Sequence, residues 1–455
     1  MADTISAYSK TAASNTTLQS ISCAEGMAPS DVNNWMRAIM QDLAELYDGT
    51  QSLATLKATT ALSAADGSTS VPSVQFTSDT NTGLYRPAAD TVGVVTGGTE
   101  QFRFGSNPIP GGSKNLLING GFNVSQRGAS FAAPSSMDYT MDRWMFTKNT
   151  GAGVVTITQD TASAPAGFGY CLKVDCTTIN SSPASGDRHT VQQRIEAQNL
   201  QHLDYGAAGA KTLTLSFKVS SPKTGTHCVA LYCVDGVRSI ATEFTVTSAN
   251  TWEDVEVTFA GDTGGTINND TGEGMAVVFP LVIGSATQVT SADTWEGGQL
   301  WSTSNQQNLL DNTSNNFLIA GVQLEVGSVA TDFAHEDAGT TLQKCQRYFW
   351  YQGPFASMGG FAQSYNLNTV IADGLVQFPV PMRTAPTFGT SGTASDYHIR
   401  HGITETTCSS AANLFVISIF GGRIRFTVAS GLTAGEGSQL LSASSSGYFT
   451  YSAEL

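Results

Sequence analysis

The sequence predicts a mainly β protein with one N-terminal helix, an intertwined trimeric β shaft, a two-sheet β-sandwich or jelly roll, and a small C-terminal β domain. Strand-like runs with alternating apolar residues recur along most of the chain, and this alternation is typical of half-buried strands. The 455 residues include 46 Gly, about a tenth of the chain against about 7% in average proteins, which indicates many turns. Only one long stretch shows helical spacing, so helix content is expected to be low.

The first predicted segment, residues 1–50, contains this helix. The sequence APSD indicates a helix start with Ser30 or Asp31 as the N-cap, and Gly49 is the expected stop. The apolar stripe between them consists of Val32, Trp35, Met36, Ile39, Leu43, Leu46 and Tyr47. The residues before the helix offer no compact core to cover this stripe. The helix therefore packs either within its own domain or, as we prefer, against symmetry mates or a docking surface, through Val32, Trp35, Ile39, Leu43 and Leu46.

The second predicted segment, residues 51–112, has only short alternating pieces separated by turn residues. Val74 with Phe76, Val92 with Val94 and Phe102 with Phe104 are examples. Isolated hairpins are marginal in water, and none of these pieces could form a sandwich alone. Three copies wound around one axis would cover such strands, so this segment is predicted to be a trimeric shaft.

The third predicted segment, residues 113–338, carries about eight strand-like runs. Such runs without long helical patterns indicate a two-sheet sandwich or jelly roll. The expected strands are 154–158, 170–177, 212–219, 227–234, 241–247, 252–259, 275–283 and 317–326. Pro280 should make its strand an edge or a bulged strand because proline donates no ladder hydrogen bond.

The fourth predicted segment, residues 339–455, begins with a short helix or turn and continues as a small separate β domain. Its expected strands are 374–380, 414–420, 423–429 and 448–453.

Charge and cysteine content exclude several classes of partner. The chain has 22 Lys and Arg against 37 Asp and Glu, a net charge of −15, which argues against binding to nucleic acid or to anionic lipid. No signal peptide and no apolar stretch of membrane-spanning length are present in the sequence, so we expect synthesis in the cytosol. Cys171/Cys176 and Cys228/Cys233 share a spacing of five, which in a strand places the two thiols on opposite faces. We expect these cysteines to be small buried apolar residues.

Three stretches resemble bacteriophage tail-fibre proteins. MAPSDVNNWMRAIMQDLAELYDG is similar to the region that joins such fibres to the virion, and SVQFTSDTNTGLYRPAADTVGVVTGGTEQFRF resembles a fibre shaft repeat. NLLINGGFNVSQRG, YTMDRWMF and FLIAGVQLEVGSVATDFAHED together resemble the carbohydrate-binding-module-like jelly roll of tail fibres. CQRYFW and FPVPMRTAPT are typical of the C-terminal part of these proteins. Residues 390–455 show no such resemblance, as expected of a host-specific region.

The resemblance implies a virion tail fibre that is made in the host cytoplasm and assembles as a homotrimer. Its N-terminus would join tail or baseplate proteins. Its C-terminal domain would bind a host cell-surface receptor, either a glycan or a protein, of which the glycan is favoured. Several copies would convert weak contacts into avidity. A tailspike enzyme that degrades surface polysaccharide and a purely structural connector are the alternatives, and we expect no catalysis.

Two groups of residues are the candidates for receptor or glycan binding. Tyr397, His398, Arg400 and His401 lie in SDYHIRHG, which we expect to be a mobile C-terminal loop. Trp295 and Trp301 lie in a polar stretch rich in Asn and Gln. That setting favours exposed rings that stack on sugars, although a Trp that caps the core from a strand edge is the commoner case.

No cofactor or metal is predicted from the remaining motifs. His335-Glu336-Asp337 lacks the second His of a metalloprotease and is expected to be a linker. Gly186-Asp187-Arg188-His189 is expected to be a solvated turn, and His398 with His401 an ordinary surface pair. A structural calcium ion remains an alternative, because hard cations take loop oxygens. Its candidate ligands are Asn123, Asp142 and Glu325.

Overall fold

The computed structural model describes residues 17–18, 21–22, 28–47, 64–104, 114–353, 359–415 and 417–455. Residues 1–108 and 109–455 form two compact units, which are considered separately. The protein is mainly β, with one long helix in the N-terminal unit, as the sequence predicts. Neither of the two described α-helices combines the length and the apolarity that crossing a membrane requires.

The N-terminal unit opens with a short hairpin and the long helix. The hairpin pairs β1 (Thr17–Leu18) with β2 (Ile21–Ser22), and α1 spans Pro29–Tyr47. The helix begins one residue before the predicted N-cap, because Pro29 supplies a φ suited to the first helical position. The amides of Asp31 and Val32 donate to the Ala28 carbonyl at 2.8 and 3.2 Å. The predicted stop at Gly49 lies outside the described residues.

Residues 64–104 form a four-stranded antiparallel sheet in the order β3-β4-β5-β6. Its strands are β3 (Val74–Phe76), β4 (Asp79–Tyr85), β5 (Val92–Thr96) and β6 (Thr99–Phe104). Val74 pairs with Leu84 and Leu84 with Val94, so the three share one face. Val74 and Leu84 are 57% and 42% exposed. Within one chain, this sheet therefore has an uncovered apolar face.

The second unit begins with a two-sheet sandwich. Its strands in chain order are β7 (Ser130–Ala132), β8 (Asp138–Tyr139), β9 (Trp144–Lys148), β10 (Val154–Asp160), β11 (Cys171–Thr178), β12 (Arg188–Glu196), β13 (Leu213–Ser220), β14 (Gly225–Cys233), β15 (Arg238–Val246), β16 (Glu253–Phe259), β17 (Glu273–Ile283), β18 (Glu296–Gly297) and β19 (Asn316–Val326). One sheet has the order β16-β13-β19-β11-β10-β7 and the other β18-β15-β14-β17-β12-β9-β8. Short 3-10 turns follow β12 at Ala197–Leu203 and β17 at Ser285–Thr287. A single apolar core lies between the sheets.

All eight predicted sandwich strands are present, with ends that shift by up to a few residues. The edge alternative for Pro280 is wrong, because β17 lies between β14 and β12. The bulge alternative is confirmed, since the register of β12 against β17 shifts between His189 and Thr190, opposite Pro280. Cys171 and Cys176 are both buried on opposite faces of β11, one in a small outer cluster and one in the main core. The cysteine prediction is therefore confirmed for this pair.

The expected solvated turn at 186–189 is wrong. Asp187 and His189 are buried, and β12 begins at Arg188. The Asp187 carboxylate accepts hydrogen bonds from Thr150, Asn180 and the Ala184 amide. The polar sequence here therefore contains a buried side chain, that of Asp187, whose hydrogen bonds hold three neighbouring segments together.

Gly321 in the GVQLE motif lies at a bulge of β19. The pairing with β13 shifts between Ser216 and Lys218, and Gly321 has a φ of +59°. A left-handed residue at a bulge is commonly glycine. A Cβ atom here would lie 2.5 Å from the Phe168 ring, so both the backbone and the packing require glycine.

The C-terminal part contains one helix, a closed six-stranded barrel and a three-stranded sheet. The elements are α2 (Ala338–Gln346), β20 (Phe349–Gln352), β21 (Gly360–Asn366), β22 (Ile371–Gln377), β23 (Thr387–Thr390), β24 (Tyr397–His401), β25 (Thr404–Phe415), β26 (Gly421–Val428), β27 (Gly437–Ser442) and β28 (Phe449–Ser452), with a 3-10 turn at Ala394–Asp396. The barrel order is β21-β22-β26-β25-β24-β27, and the sheet order is β20-β28-β23. Asp337 caps α2 by accepting from the amides of Gly339 and Thr340. The barrel has its own aromatic core.

Candidate glycan-binding surfaces

The predicted receptor loop at 397–401 is a strand, so the loop expectation is wrong. β24 is an integral strand of the barrel, paired with β25 and β27. Tyr397 is completely buried, its ring stacks on Phe449 with centroids 5.2 Å apart, and its hydroxyl donates to the Tyr448 carbonyl at 2.8 Å. Tyr397 therefore holds the barrel together and presents no surface to a ligand. Side chains along a strand point alternately to its two faces. In the polar sequence SDYHIRHG, Tyr397 is one of the residues that point into the barrel.

The other three candidates on this strand do not share one face, because His398 and Arg400 both approach Glu405, at 4.0 and 2.6 Å, whereas His401 lies on the opposite side. Arg400 pairs with Glu405 through two hydrogen bonds of 3.1 and 2.6 Å. His398 and His401 bond to Thr407 and Thr406 respectively. Three residues apart on one strand, the two histidines point to opposite sides, so they cannot share one metal ion within a chain.

The two tryptophans also lie in different environments. Trp301 is 4% exposed, and the Arg188 guanidinium lies 4.5 Å from its ring centroid. The exposed alternative is therefore wrong for Trp301, which caps a small cluster on the outer side of one sandwich sheet. Trp295 is partly exposed, and its indole N–H donates to the Ala260 carbonyl at 2.7 Å. Its ring meets Tyr205 edge-on, with centroids 5.8 Å apart.

The proposed calcium ligands do not meet. The buried Asp142 accepts from the amide and side chain of Gln126, and Glu325 accepts from Gln323 and Thr331. Asn123 lines a separate cleft of about 220 Å³ beside Phe333 and Glu336. Within the described residues, no group of three or more His, Cys, Asp and Glu side chains could hold a metal ion.

Asp142 instead belongs to a buried ion network between the sandwich and the C-terminal part. Arg143 is 1% exposed, forms an ion pair with Glu454 and donates to the Arg194 carbonyl at 2.6 Å. Its guanidinium also lies 3.6 Å from the centroid of the Tyr348 ring. Burial lowers the pKa of Arg143, but the Glu454 carboxylate raises it, and the net pKa lies above its ordinary value. Arg143 thus stays charged inside the interface.

A second buried carboxylate supports the same interface. Glu196 on β12 is fully buried and accepts from Arg347 at 2.7 Å and from the Tyr348 hydroxyl at 2.8 Å. Arg127 bonds to Glu454 at 3.0 Å and lies 3.4 Å from the Phe349 ring centroid. The motifs SQRG, MDRW and CQRYFW therefore meet in space, and together they fix the barrel to the sandwich.

The barrel carries a surface that sequence reasoning missed. We call it the outer barrel wall; it consists of Gln363, Tyr365, Asp373, Leu375, Arg423 and Gln439. Two neighbouring clefts of about 380 and 400 Å³ lie on this wall, and Gln363 lines both. Tyr365 and Leu375 are 49% and 79% exposed. Aromatic and apolar side chains thus meet a few amide and guanidinium groups at a concave surface, a combination that ligand sites share.

Strand register explains why these residues share one face. Tyr365 pairs with Asp373, Leu375 with Arg423, and Gln363 with Gln439. Val376 and Ile424, which directly follow Leu375 and Arg423, point into the barrel core. The six wall residues are far apart in the sequence, so only the barrel topology brings them together. The alternation in IADGLVQ and GGRIRFTV was the available signal.

The predicted contacts of the N-terminal helix are largely exposed. Val32 and Leu43 are 41% and 55% exposed, and Trp35 and Ile39 are half-buried. The side chain of Leu46 lies outside the described residues. Within its own unit, the stripe therefore remains open over much of its length.

No protein-family model matches the chain. No curated protein matches its sequence. Among solved structures, 47% of the chain is similar to the enzymatically active domain of tailspike protein 4 of bacteriophage CBA120, with 13% identity and a TM-score of 0.25, and it covers 22% of that chain. A family 11 carbohydrate-binding module of a cellulosomal cellulase from Clostridium thermocellum is similar to 45% of the chain, with 13% identity, 99% of the module covered and a TM-score of 0.22. A xylan-binding domain is similar to 45% of the chain, with 15% identity, 99% of that domain covered and a TM-score of 0.24.

Proposed function

We propose that this protein is a homotrimeric phage tail fibre that attaches the virion to a host cell-surface glycan through its C-terminal barrel. The observation that carries the binding role is the outer barrel wall, where Tyr365, Leu375 and Arg423 lie exposed around a cleft. Such a wall is well suited to a flexible saccharide, because the strands beneath it are rigid and little ordering is needed on binding. We propose no reaction at this site.

The trimer is supported by the uncovered face of the β3–β6 sheet. Val74, Leu84 and Val92 are exposed on this face, and Val95 on the other face is fully buried. A continuous exposed apolar face marks an interaction surface. Two further copies of the chain would cover it. The resemblance of residues 73–104, which form this sheet, to a tail-fibre shaft repeat favours this occupant.

The trimer is tested by light scattering on the purified protein. We expect about three times the 47.7 kDa chain mass. Leu84→Asp should reduce the mass to that of one chain, because it places an unpaired charge in the seam. Gln75→Asp, an exposed control position on the same sheet, should leave the mass unchanged. If the unmodified protein has the mass of a single chain, the proposal of a trimeric shaft is wrong.

The attachment role is tested on an array of bacterial surface polysaccharides and on whole cells. We expect binding without release of reducing sugar. Release of reducing sugar would support the tailspike alternative instead, and a trimer that binds no polysaccharide and no cell would support the structural connector.

A further inference from the structure

Together with Arg425, which lies beside it on β26, the outer barrel wall holds more positive than negative charge. Asp373 is the one carboxylate of the cleft, and its side chain is completely buried beneath two arginines. Arg425 donates two hydrogen bonds of 2.7 and 2.8 Å to the Asp373 carboxylate. Arg423 reaches it only at 3.6 Å. One carboxylate shared by two guanidinium groups leaves a local charge of about +1 by formal count in a chain of net charge −15.

Arg423 is the cation left available. Its side chain is 40% exposed, and its buried Nε atom, which lies 3.6 Å from the Asp373 carboxylate, has no hydrogen-bond partner within the described residues. A guanidinium offers five donors in a planar fork that matches carboxylate and phosphate oxygens. Arg423 lines the same cleft as Tyr365 and Leu375. A ligand in this cleft would therefore meet a charged fork and an aromatic ring together.

The neighbouring side chains fit the rest of a sugar. Gln363 and Gln439 pair across β21 and β27, and neither side-chain amide is hydrogen-bonded within the part of the chain that the structure describes. Each amide offers two donors and one acceptor for hydroxyl groups. The exposed Tyr365 ring offers an apolar face to a pyranose ring.

We propose that the outer barrel wall binds an acidic saccharide, with Arg423 holding the carboxylate or phosphate of the sugar and Tyr365 stacking on its ring. This inference rests on the proposed function and names its ligand class. A second copy of the chain is the other candidate occupant. A symmetric contact would bury an incompletely paired Arg423 from each copy, which is costly, so the charge favours an anionic ligand.

The test uses the full-length protein and matched ligands. Short oligogalacturonate and its fully methyl-esterified form share one backbone and differ in charge, and a phosphorylated mannan fragment with its dephosphorylated form provides the phosphate arm. We expect at least one acidic ligand to bind more tightly than its neutral form by about tenfold or more, as a charge-assisted hydrogen bond allows. Added salt should weaken this preference.

Arg423→Gln should remove the preference for the acidic form. Arg400→Gln is the matched control, because Arg400 is also 40% exposed on the barrel but is already bonded to Glu405. It should bind as the unmodified protein does. Tyr365→Ala should weaken binding of both forms, and all three variants should keep the melting temperature.

Several results would overturn this inference. Equal affinity for acidic and neutral forms, or an Arg423→Gln variant that binds like the unmodified protein, would show that the charge is not used. Binding of neutral saccharides alone would leave the proposed attachment function standing and refute only the acidic ligand. A change of oligomeric mass in Arg423→Gln, without loss of saccharide binding, would assign the wall to contact between copies. Absence of binding to every acidic probe would also refute it, whereas the attachment function is judged separately on whole cells.

Discussion

Removal of one carboxylate should detach the barrel from the sandwich. Glu454→Gln keeps the shape of the side chain but removes the charge that faces Arg143. The side chains of Arg143 and Glu454 are 1% and 5% exposed, so water cannot replace the lost partner. Breaking a buried ion pair by removing one partner costs about 3–5 kcal/mol. That range corresponds to an increase of about 150-fold to 5,000-fold in the unfolding equilibrium constant.

Urea unfolding measures this loss, and hydrogen exchange of the β28 amides locates it. Asp254→Asn is the control, since the Lys218–Asp254 pair has a carboxylate that is 77% exposed, and exposed pairs contribute at most about 1 kcal/mol. The double variant Arg143→Met with Glu454→Leu should recover most of the loss, because apolar replacement of a buried pair is often neutral. A single variant that loses less than about 1 kcal/mol would refute the reasoning. So would a double variant no more stable than Glu454→Gln.

Three further predictions concern single positions. Tyr397→Ala should destabilise the barrel by about 3–5 kcal/mol in urea unfolding, as truncation of a buried aromatic does. Almost no change in stability would instead indicate that Tyr397 is exposed. Gly321→Ala should cost at least about 1–2 kcal/mol, because its φ is +59° and a left-handed Ala is strained; a melting temperature equal to that of the unmodified protein would contradict the bulge. Burial lowers the pKa of His227 below its ordinary 6.5, so the unfolded state binds the extra proton and stability should fall as pH drops below about 6.5. When the pH is lowered from about 7.5 to about 5.5, His227→Phe should lose less stability than the unmodified protein. The difference between the two losses should be at most about 1.4 kcal/mol per pH unit. Equal losses in urea unfolding would exclude this role of His227.

Local patterns were sufficient for most of the sandwich. Runs such as LTLSFKVS alternate visibly, and each became a strand of the expected extent within a few residues. Strand β12 was missed because RHTVQQRIE is polar, yet its side chains are mostly buried and bonded to other segments. Glu196 at its end illustrates the reason, since its partner Arg347 is 151 residues away in the sequence. No local pattern can indicate that such a group is neutralised.

The binding residues were harder to predict than the strands. Aromatic and charged residues close together, as in SDYHIRHG, indicate a loop. In the structure this segment is a strand, and the alternation of its side chains places Tyr397 inside the barrel and Arg400 outside. The wall around Arg423 required the pairing of strands β21, β22, β26 and β27, which depends on barrel closure. Residues that lie near each other in the sequence were therefore a poor guide to residues that share a surface.

The three-stranded sheet also determines how the barrel would behave under mechanical load. The chain enters the barrel along β20 and leaves it along the adjacent, antiparallel β28, and the Ala453 amide then donates to the Tyr348 carbonyl at 2.7 Å. Tension that pulls the barrel from the sandwich is thus carried by the covalent connection that leads into β20 and, beside it, by the noncovalent contacts of Glu454 and Leu455 with the sandwich. A domain held by one tether alone is free to swivel, whereas the noncovalent attachment beside β20 should let this barrel transmit a pull with little rotation.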